Sequence, residues 1–503
     1  MPAATTPPPT APPLRGSSPS PSRAAAGLTP AGCAAPAQPQ LLEESVAAFE
    51  ADPRNLFAQN AVTRTDVTEL LIDREESKIN HHFSASLRES LGMELTPADQ
   101  FQTGRCWLFA MMNTIRLPLV KKMDLPMSFE LSQSYMMFWD KVERANYFLE
   151  TMIETAGEDL DGRLVQFLLS NPIQDAGQWD MACSLVQKYG VVPKEAFPES
   201  ESTHASRKMN YIIANKLREY AGTLRAAVAD GTPMDDIRAQ KAEMNKTIHK
   251  ILMIHLGTPP TTFDWQFTTS DKEYHVMEGL TPQSFYADVC APNCNVMEKI
   301  SLINDPRNPY HTLYTVDRLN NMVGGVPIRY VNLPSSELAK YAALSIDNDT
   351  PVWFGCDASK MAYGPEGIYN DAMFKYDLVY GEDGAPEMDK ETRLRYGETV
   401  MTHAMVFTAY DKPSGADHPM KWRVENSYAQ ASGDKGYMVM TDSWFDEYNF
   451  QVAVDIDLLT PELTQILVQE PVVLPAWDPM GALAGCVEEA YQPQTAGGSF
   501  SKL

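Results

Sequence analysis

Cys106 stands directly behind the turn Thr103-Gly104-Arg105 and opens an apolar run that continues to Arg116 without glycine or proline. The run predicts a helix that starts at Cys106 and is limited or kinked at Pro118. A thiol at a helix N-terminus faces unpaired N–H groups and the positive end of the helix dipole, and both favour the reactive thiolate. Helix position alone is weak, because a cysteine in an apolar helix is more often packing than a nucleophile. Two distant stretches add weight. His403 is the single imidazole in a β-branched, apolar run from Thr399 to Thr408, and Lys421 to Ser427 returns after a polar turn carrying Pro413 and Gly415. Paired as a hairpin, these strands bring His403 and Asn426 to one end of a sheet. Cys, His and Asn are the parts of a thiol nucleophile, its base and the group that orients the base. Pairing with imidazole lowers a thiol pKa from about 8.5 to roughly 3–4 in such sites.

The elements that must position these residues follow from the pattern. Leu42–Asn60 reads as helix then loop, and Thr65–Ser77 as a second short helix. Phe129–Glu154 reads as an aromatic-rich helix, and Ala176-Gly177-Gln178-Trp179 as a turn opening another. Between Ser206 and Gly257 two long helical runs are joined by Asp230-Gly231-Thr232-Pro233, with Gly ending the first and Pro opening the second. This helical pair, about 206–257, is an insertion between the Cys and His segments. Its apolar stripe (Ile212, Ile213, Leu217, Tyr220, Leu224) serves either assembly or packing on the chain's own core. Short strands are expected within 310–332 and at Thr350–Phe354, and the acidic stretch Gly381–Glu391 reads as surface.

Composition sets outer bounds. The 503 residues carry a net charge of −25, which favours solubility and argues against general attraction to nucleic acid or anionic lipid. No stretch approaches the ~18 consecutive apolar residues of a membrane span. Seven cysteines, odd in number and mostly isolated, fit a reducing compartment better than a disulfide framework. Cys290-x3-Cys294 lacks two further clustered ligands and reads as a pair of reduced thiols rather than a zinc site; no metal or organic cofactor is implied. Residues 1–41 are rich in Pro, Ala, Ser and Thr and acid-free up to Glu43. They read as a disordered extension, with an organelle transit peptide as the alternative.

Gly104-Arg105-Cys106-Trp107, Gly177-Gln178-Trp179-Asp180, Trp353-Phe354-Gly355-Cys356-Asp357, Met401-Thr402-His403-Ala404-Met405 and the stretch Pro475–Ala484 together resemble the bleomycin hydrolase family of papain-like cysteine peptidases. The likeness runs from about Leu42 to Ala484. It implies an α+β papain-like fold over 42–484, with the helical insertion and a C-terminal arm, followed by a flexible extension at 485–503. It implies a cysteine aminopeptidase that hydrolyses N-terminal residues of peptides, and bleomycin-like amides or thiolactones, through a thioester acyl-enzyme. Cys106, His403 and Asn426 would be catalytic, with Gln100 and the Cys106 N–H holding the oxyanion. Gly177 would form the wall beside which substrate lies extended, and Ala484 would sit in the cleft, where relatives end in a carboxylate that anchors the substrate's amine. Here nineteen residues follow Ala484. Either the enzyme trims the Ala484–Gly485 bond, or the tail loops out and Glu488 or Glu489 substitutes for the missing charge.

The resemblance also implies peptide substrates, a homo-oligomer of hexameric type and a cytoplasmic location, with nucleic-acid binding disfavoured by the acidic charge. Ser501-Lys502-Leu503 matches a peroxisomal address, and a mitochondrial destination would rest on the N-terminal extension. In the family the Asn is followed by Ser-Trp-Gly; here Ser427 is followed by Tyr428 and Ala429, a smaller shield for the His–Asn bond. The rival reading is a catalytically weak oligomeric scaffold or nucleic-acid binder that keeps the fold.

Overall fold

The computed structural model describes residues 39–485 other than 93 and 431. The extensions expected at 1–41 and 485–503, with the tripeptide Ser501-Lys502-Leu503 and with Glu488 and Glu489, lie almost wholly outside the described residues. The chain divides into two compact units at Asp66. In the first, Pro39–Ala51 and Pro53–Val62 are consecutive helices; Asp52 caps the second, its carboxylate accepting from the Arg54 N–H, and Pro53 occupies the first turn.

The second unit, from Val67, is built on a mixed sheet of twelve strands. From one edge to the other run Val472–Leu474, Thr312–Val316, Tyr330–Asn332, Lys299–Ile303, Asn449–Asp455, Val352–Cys356, His403–Asp411, Lys421–Glu425, Tyr437–Thr441, Ile368–Tyr369 and Ala362–Tyr363, and Ala85–Ser86 pairs with the His403 strand. The three central strands 352–356, 403–411 and 421–425 are buried almost throughout; the largely apolar pattern of the first two requires it, whereas the third, Lys-Trp-Arg-Val-Glu, buries Arg423 and Glu425 as well. The expected hairpin is present: Val406 pairs with Glu425 and Phe407 with Val424, with a bulge before Ala409. On its other side the His403 strand is antiparallel to Val352–Cys356, which sets His403 opposite Cys356 and Ala404 opposite Gly355.

Helices cover the sheet. The Cys106 helix runs from Cys106 to Met123, continuing through Pro118 and ending one residue past the basic pair Lys121-Lys122, before the left-handed cap Asp124. The expected break at Pro118 therefore does not occur. Nearly all of its first fifteen residues are buried, so tertiary packing outweighs the one lost backbone hydrogen bond. Gln133–Glu154 lies beside it, capped by Ser132, whose hydroxyl accepts from the Tyr135 N–H at 3.0 Å. The insertion is the pair Arg207–Ala229 and Met234–Leu256.

Most of its apolar stripe faces inward. Ile213, Leu217 and Leu224 are completely buried and join the main core, in which the Gln133–Glu154 helix takes part. Packing on the chain's own core thus accounts for these three residues, and the assembly role expected of the stripe does not fit them. What the pair leaves exposed is Tyr211 at 68 %, Ile254 at 71 % and, from the stripe itself, Ile212 at 44 %. Among the described residues no helix is long and apolar enough to cross a membrane.

Candidate active site

Cys106 opens its helix with its thiol facing the end of the His403 strand, and the backbone N–H of Ala404 reaches the sulfur. The next residue back is His403, buried, whose Nε2 lies 2.9 Å from Asn426 Oδ1. That oxygen also accepts the Ser427 N–H at 2.7 Å. A carbonyl oxygen accepts only, so Nε2 carries the ring proton and Nδ1 is the basic nitrogen. The three residues read from sequence are thus brought to one place from three separate stretches.

Burial pushes the Cys106 thiol up to about 12 and the His403 imidazole down to about 4. The backbone N–H groups on sulfur and the Asn426 bond pull the other way, but less strongly. The thiolate expected from helix position alone is therefore opposed by a dry site. A lone charge on either group is penalised. Proton transfer from sulfur to imidazole makes two opposite charges at once, each the counter-charge of the other.

Tyr428 lies flat alongside the imidazole, ring centroids 5.7 Å apart and planes within 10°. It covers the side of the His–Asn bond where a larger indole was the family pattern. Ala429, where that pattern has glycine, adopts φ 51°, the left-handed region that costs an L-residue energy. Its N–H is held by the Ala98 carbonyl at 2.9 Å, and the Gln100 N–H by the Ser427 carbonyl at 2.9 Å. These two bonds tie the Asn426 loop to the Gln100 loop.

Gln100 is buried, and one amide hydrogen is given to the Thr103 carbonyl at 2.7 Å. The amide carries a second hydrogen, so one donor remains for an oxyanion. Phe101 follows at φ 54°, with its ring packed on His204 at 4.0 Å.

Sequence reasoning missed what fixes the loops around the thiol. Asp175 is buried and accepts from Lys141 Nζ at 2.6 Å, Asn210 Nδ2 at 2.8 Å, the Ser206 hydroxyl and the Gly104 N–H. Burial pushes its carboxyl up, but Lys141, Ser206 and Asn210 together hold it well below the usual carboxylate range. Its backbone carbonyl takes the Trp107 indole N–H at 2.6 Å. One residue thereby joins the Gly104 turn, the Gln133–Glu154 helix, the root of the insertion and the ring beside the thiol. Arg105, fully buried, repeats the pattern: it reaches the Glu199 carboxylate at 3.0 Å and the Thr203 carbonyl at 2.6 Å. The available signal was Lys141 on the inward face of an amphipathic helix, where an unpaired ammonium would be costly.

Gly177 lies two residues beyond Asp175, against the Trp107 ring. A Cβ there would lie 2.7 Å from three atoms of the Trp107 ring, so only glycine lets wall and indole meet. Ala484 is buried, in a short 3-10 turn from Pro479 to Gly485 that runs along the same wall. Its carbonyl takes a hydrogen bond from Gln174, and Leu483 packs 3.4 Å from the position of a Cβ on Gly355, in register with Ala404. Among the described residues no group of three or more His, Cys, Asp or Glu side chains is placed to hold a metal.

Comparison with known proteins identifies the family and the fold. The Peptidase C1-like family model matches residues 37–481. Bleomycin hydrolase of Gallus gallus is 46 % identical over 453 residues, covering 88 % of this chain and 99 % of the relative. Bleomycin hydrolase of Homo sapiens is 44 % identical, covering 88 % and 99 %; aminopeptidase C of Streptococcus thermophilus is 38 % identical, covering 88 % and 98 %. The crystal structure of PepW from Lactobacillus rhamnosis HN001 superposes with a TM-score of 0.85 at 38 % identity, over 89 % of this chain and 99 % of that one. The α+β, papain-like architecture expected from sequence is the one observed. With a thiol, an imidazole and an amide converging on that architecture, the chain belongs to the Peptidase C1-like family of cysteine peptidases.

Proposed function

We propose that the protein is a cysteine aminopeptidase that removes N-terminal residues from peptides and cleaves related amides bearing a free amine. The observation that carries this reading is the Cys106 thiol against the Ala404 N–H, one residue from an imidazole whose Nε2–H is held by Asn426 at 2.9 Å. His403 Nδ1 takes the thiol proton as sulfur attacks the carbonyl carbon. The developing oxyanion is met by the Cys106 N–H and the remaining Gln100 amide hydrogen. Collapse breaks the C–N bond, His403 returns its proton to the leaving amine, and a thioester remains on Cys106. Water, deprotonated by His403, then hydrolyses the thioester and restores the thiol. Gly177 forms the wall along which the substrate backbone lies, and the turn ending at Ala484 fills the cleft behind the substrate's first residue.

Peptide relatives named aminopeptidase C and bleomycin hydrolase support the exopeptidase assignment. We take the protein to act in the cytoplasm as a homo-oligomer of hexameric type. The free thiols Cys106, Cys183, Cys290, Cys294 and Cys356 suit a reducing compartment. Exposed Tyr211, Ile212 and Ile254 suit subunit contact, and light scattering of the purified protein tests the assembly.

The deciding experiment is hydrolysis of a panel of aminoacyl-coumarins by the wild type and by Cys106→Ala. Turnover that disappears with the thiol, together with Cys106 labelling by iodoacetamide that is lost in His403→Ala, is the expected result. Equal turnover in Cys106→Ala overturns the assignment.

A further inference from the structure

The turn Pro479–Gly485 is held to the cleft wall by two glutamine side chains from one short segment. Gln178 Nε2 reaches the Met480 carbonyl at 3.4 Å, a marginal bond. Gln174 Nε2 donates to the Ala484 carbonyl, and its own Oε1 accepts from Asn171 Nδ2 at 2.7 Å. The Ala484 carbonyl only accepts, so the Gln174 NH2 must point forward, and its oxygen is turned back to the Asn171 NH2. The Gln174 backbone carbonyl is anchored in turn by Lys141, and the following residue is Asp175, the hub of the buried network. A rigid base therefore presents a single directed donor to Ala484. On its other flank Leu483 packs beside Gly355.

We propose that Gln174, aimed by Asn171, is a specificity-determining residue: it latches the turn at Ala484 and so fixes how much of the cleft is closed to substrate. This rests on the aminopeptidase reading above. The turn is neutral where it docks, and its apolar side chains contribute without direction. The Gln174 bond is what sets its position along the wall. With the latch open, the segment from Pro479 to Gly485 leaves the cleft for part of the time, and chains extending beyond the first residue gain entry. The latch thus acts on the choice between free and blocked N-termini and leaves the chemistry at Cys106 alone.

Gln174 and Asn171 are both only partly buried, so their substitution spares the core. Gln174→Glu is the sharpest variant, because it keeps the size and the Asn171 contact and replaces the donor with an acceptor. The measurement is kcat/KM for an aminoacyl-coumarin and for its N-acetylated counterpart in the full-length protein, with amide hydrogen exchange across 479–485. The expected result is a free-to-acetylated ratio that falls about ten-fold in Gln174→Glu and Gln174→Ala, the worth of one hydrogen bond, and less in Asn171→Ala. It comes with faster exchange in the turn and an unchanged iodoacetamide rate at Cys106. A ratio in Gln174→Glu equal to that of an active wild type overturns the latch and leaves the aminopeptidase reading standing. A wild type without preference for the free amine overturns that reading itself.

Discussion

On the Cys106 side of the cleft, irregular loops are held by buried charge, whereas on the His403 side a sheet does the same work by register and apolar stacking. Asp175 and Arg105 gather the Gly104 turn, the 174–178 wall and the root of the insertion, none of which has strand pairing strong enough to fix it. His403 needs no such gathering. Its strand is bonded on both edges, and its Phe407 joins a chain of aromatic contacts, stacked on Phe354 at 3.8 Å and tilted against Trp422, which stacks in turn on Phe445. A sheet sets position by repetition, so an error at one residue is shared by its neighbours. A charge hub concentrates the position of several loops in one carboxylate, and its loss is correspondingly severe.

Asp175→Ala is therefore expected to cost the most. It strands Lys141 in the core and removes the acceptor of three other donors, a loss of about 3–5 kcal/mol by analogy with broken buried pairs. Urea unfolding measures it. The double change Lys141→Met with Asp175→Ala should recover much of the stability, because the stranded ammonium goes, while leaving activity low, because the Gly104 turn stays unanchored. A single mutant no worse than an ordinary surface change would remove the contrast between the walls.

Gly177→Ala comes next. Its methyl would sit 2.7 Å from the Trp107 ring, and the wall or the indole must move. Overpacking of this kind costs about 1–3 kcal/mol. A displacement near 1 Å beside the thiol can cost about 10²-fold in turnover. An active, fully stable Gly177→Ala would mean that the wall yields easily, against the rigidity ascribed to it.

How much of this was legible in the sequence divides along the same line. His403 and Asn426 follow from a period and a turn, since strand register is local information repeated along a chain. The helix start at Cys106 was readable for the same reason, although its passage through Pro118 was not, because burial by distant strands decided it. The Asp175 hub joins positions 104, 141, 175, 206 and 210, and nothing in any one stretch marks them as partners. The inward stripe of the insertion shows the same limit. Leu217 reads as equally suited to a core or an interface until the Gln133–Glu154 helix is placed beside it.

On the sheet side Glu425 is a buried carboxyl in the middle of the sheet, and it tests whether charge works there as it does at Asp175. Burial pushes it up to about 7, only partly relieved by Arg116. Asn113 Nδ2 donates to it at 3.0 Å. A folded-state value above the unfolded one, 4.5, means that the folded chain keeps a proton the unfolded chain has released. This residue's contribution to stability is therefore greatest below about pH 4.5 and declines as pH rises toward 7. Glu425→Gln keeps the acceptor for Asn113 and abolishes that decline. Denaturant midpoints should coincide with wild type near pH 4.5 and exceed it at pH 8. A variant weaker than wild type at pH 8 would make Glu425 a working counter-charge for Arg116, and the two walls would then be alike.

The smallest effect belongs to the loop that joins the walls. Ala429 holds φ 51° directly after the ring that covers His403, and its N–H is committed to Ala98. The loop cannot relax to negative φ without giving up that bond and the neighbouring one between Gln100 and Ser427. Glycine at 429 removes the Cβ–carbonyl crowding, worth about 1–2 kcal/mol, but returns part of it as unfolded-chain entropy, about 0.5–1 kcal/mol. The expected net gain for Ala429→Gly is about 0.5–1 kcal/mol, read as a higher thermal midpoint. Turnover should stay within about two-fold of wild type, because the bonds that place Gln100 and Asn426 are unchanged and a two-fold change is well under 1 kcal/mol in barrier. A stability loss would show that the Ala429 methyl packs productively. A large rise in turnover would show instead that strain at 429 is transmitted to Asn426, and the loop would then be a weak hinge between two walls rather than a rigid tie.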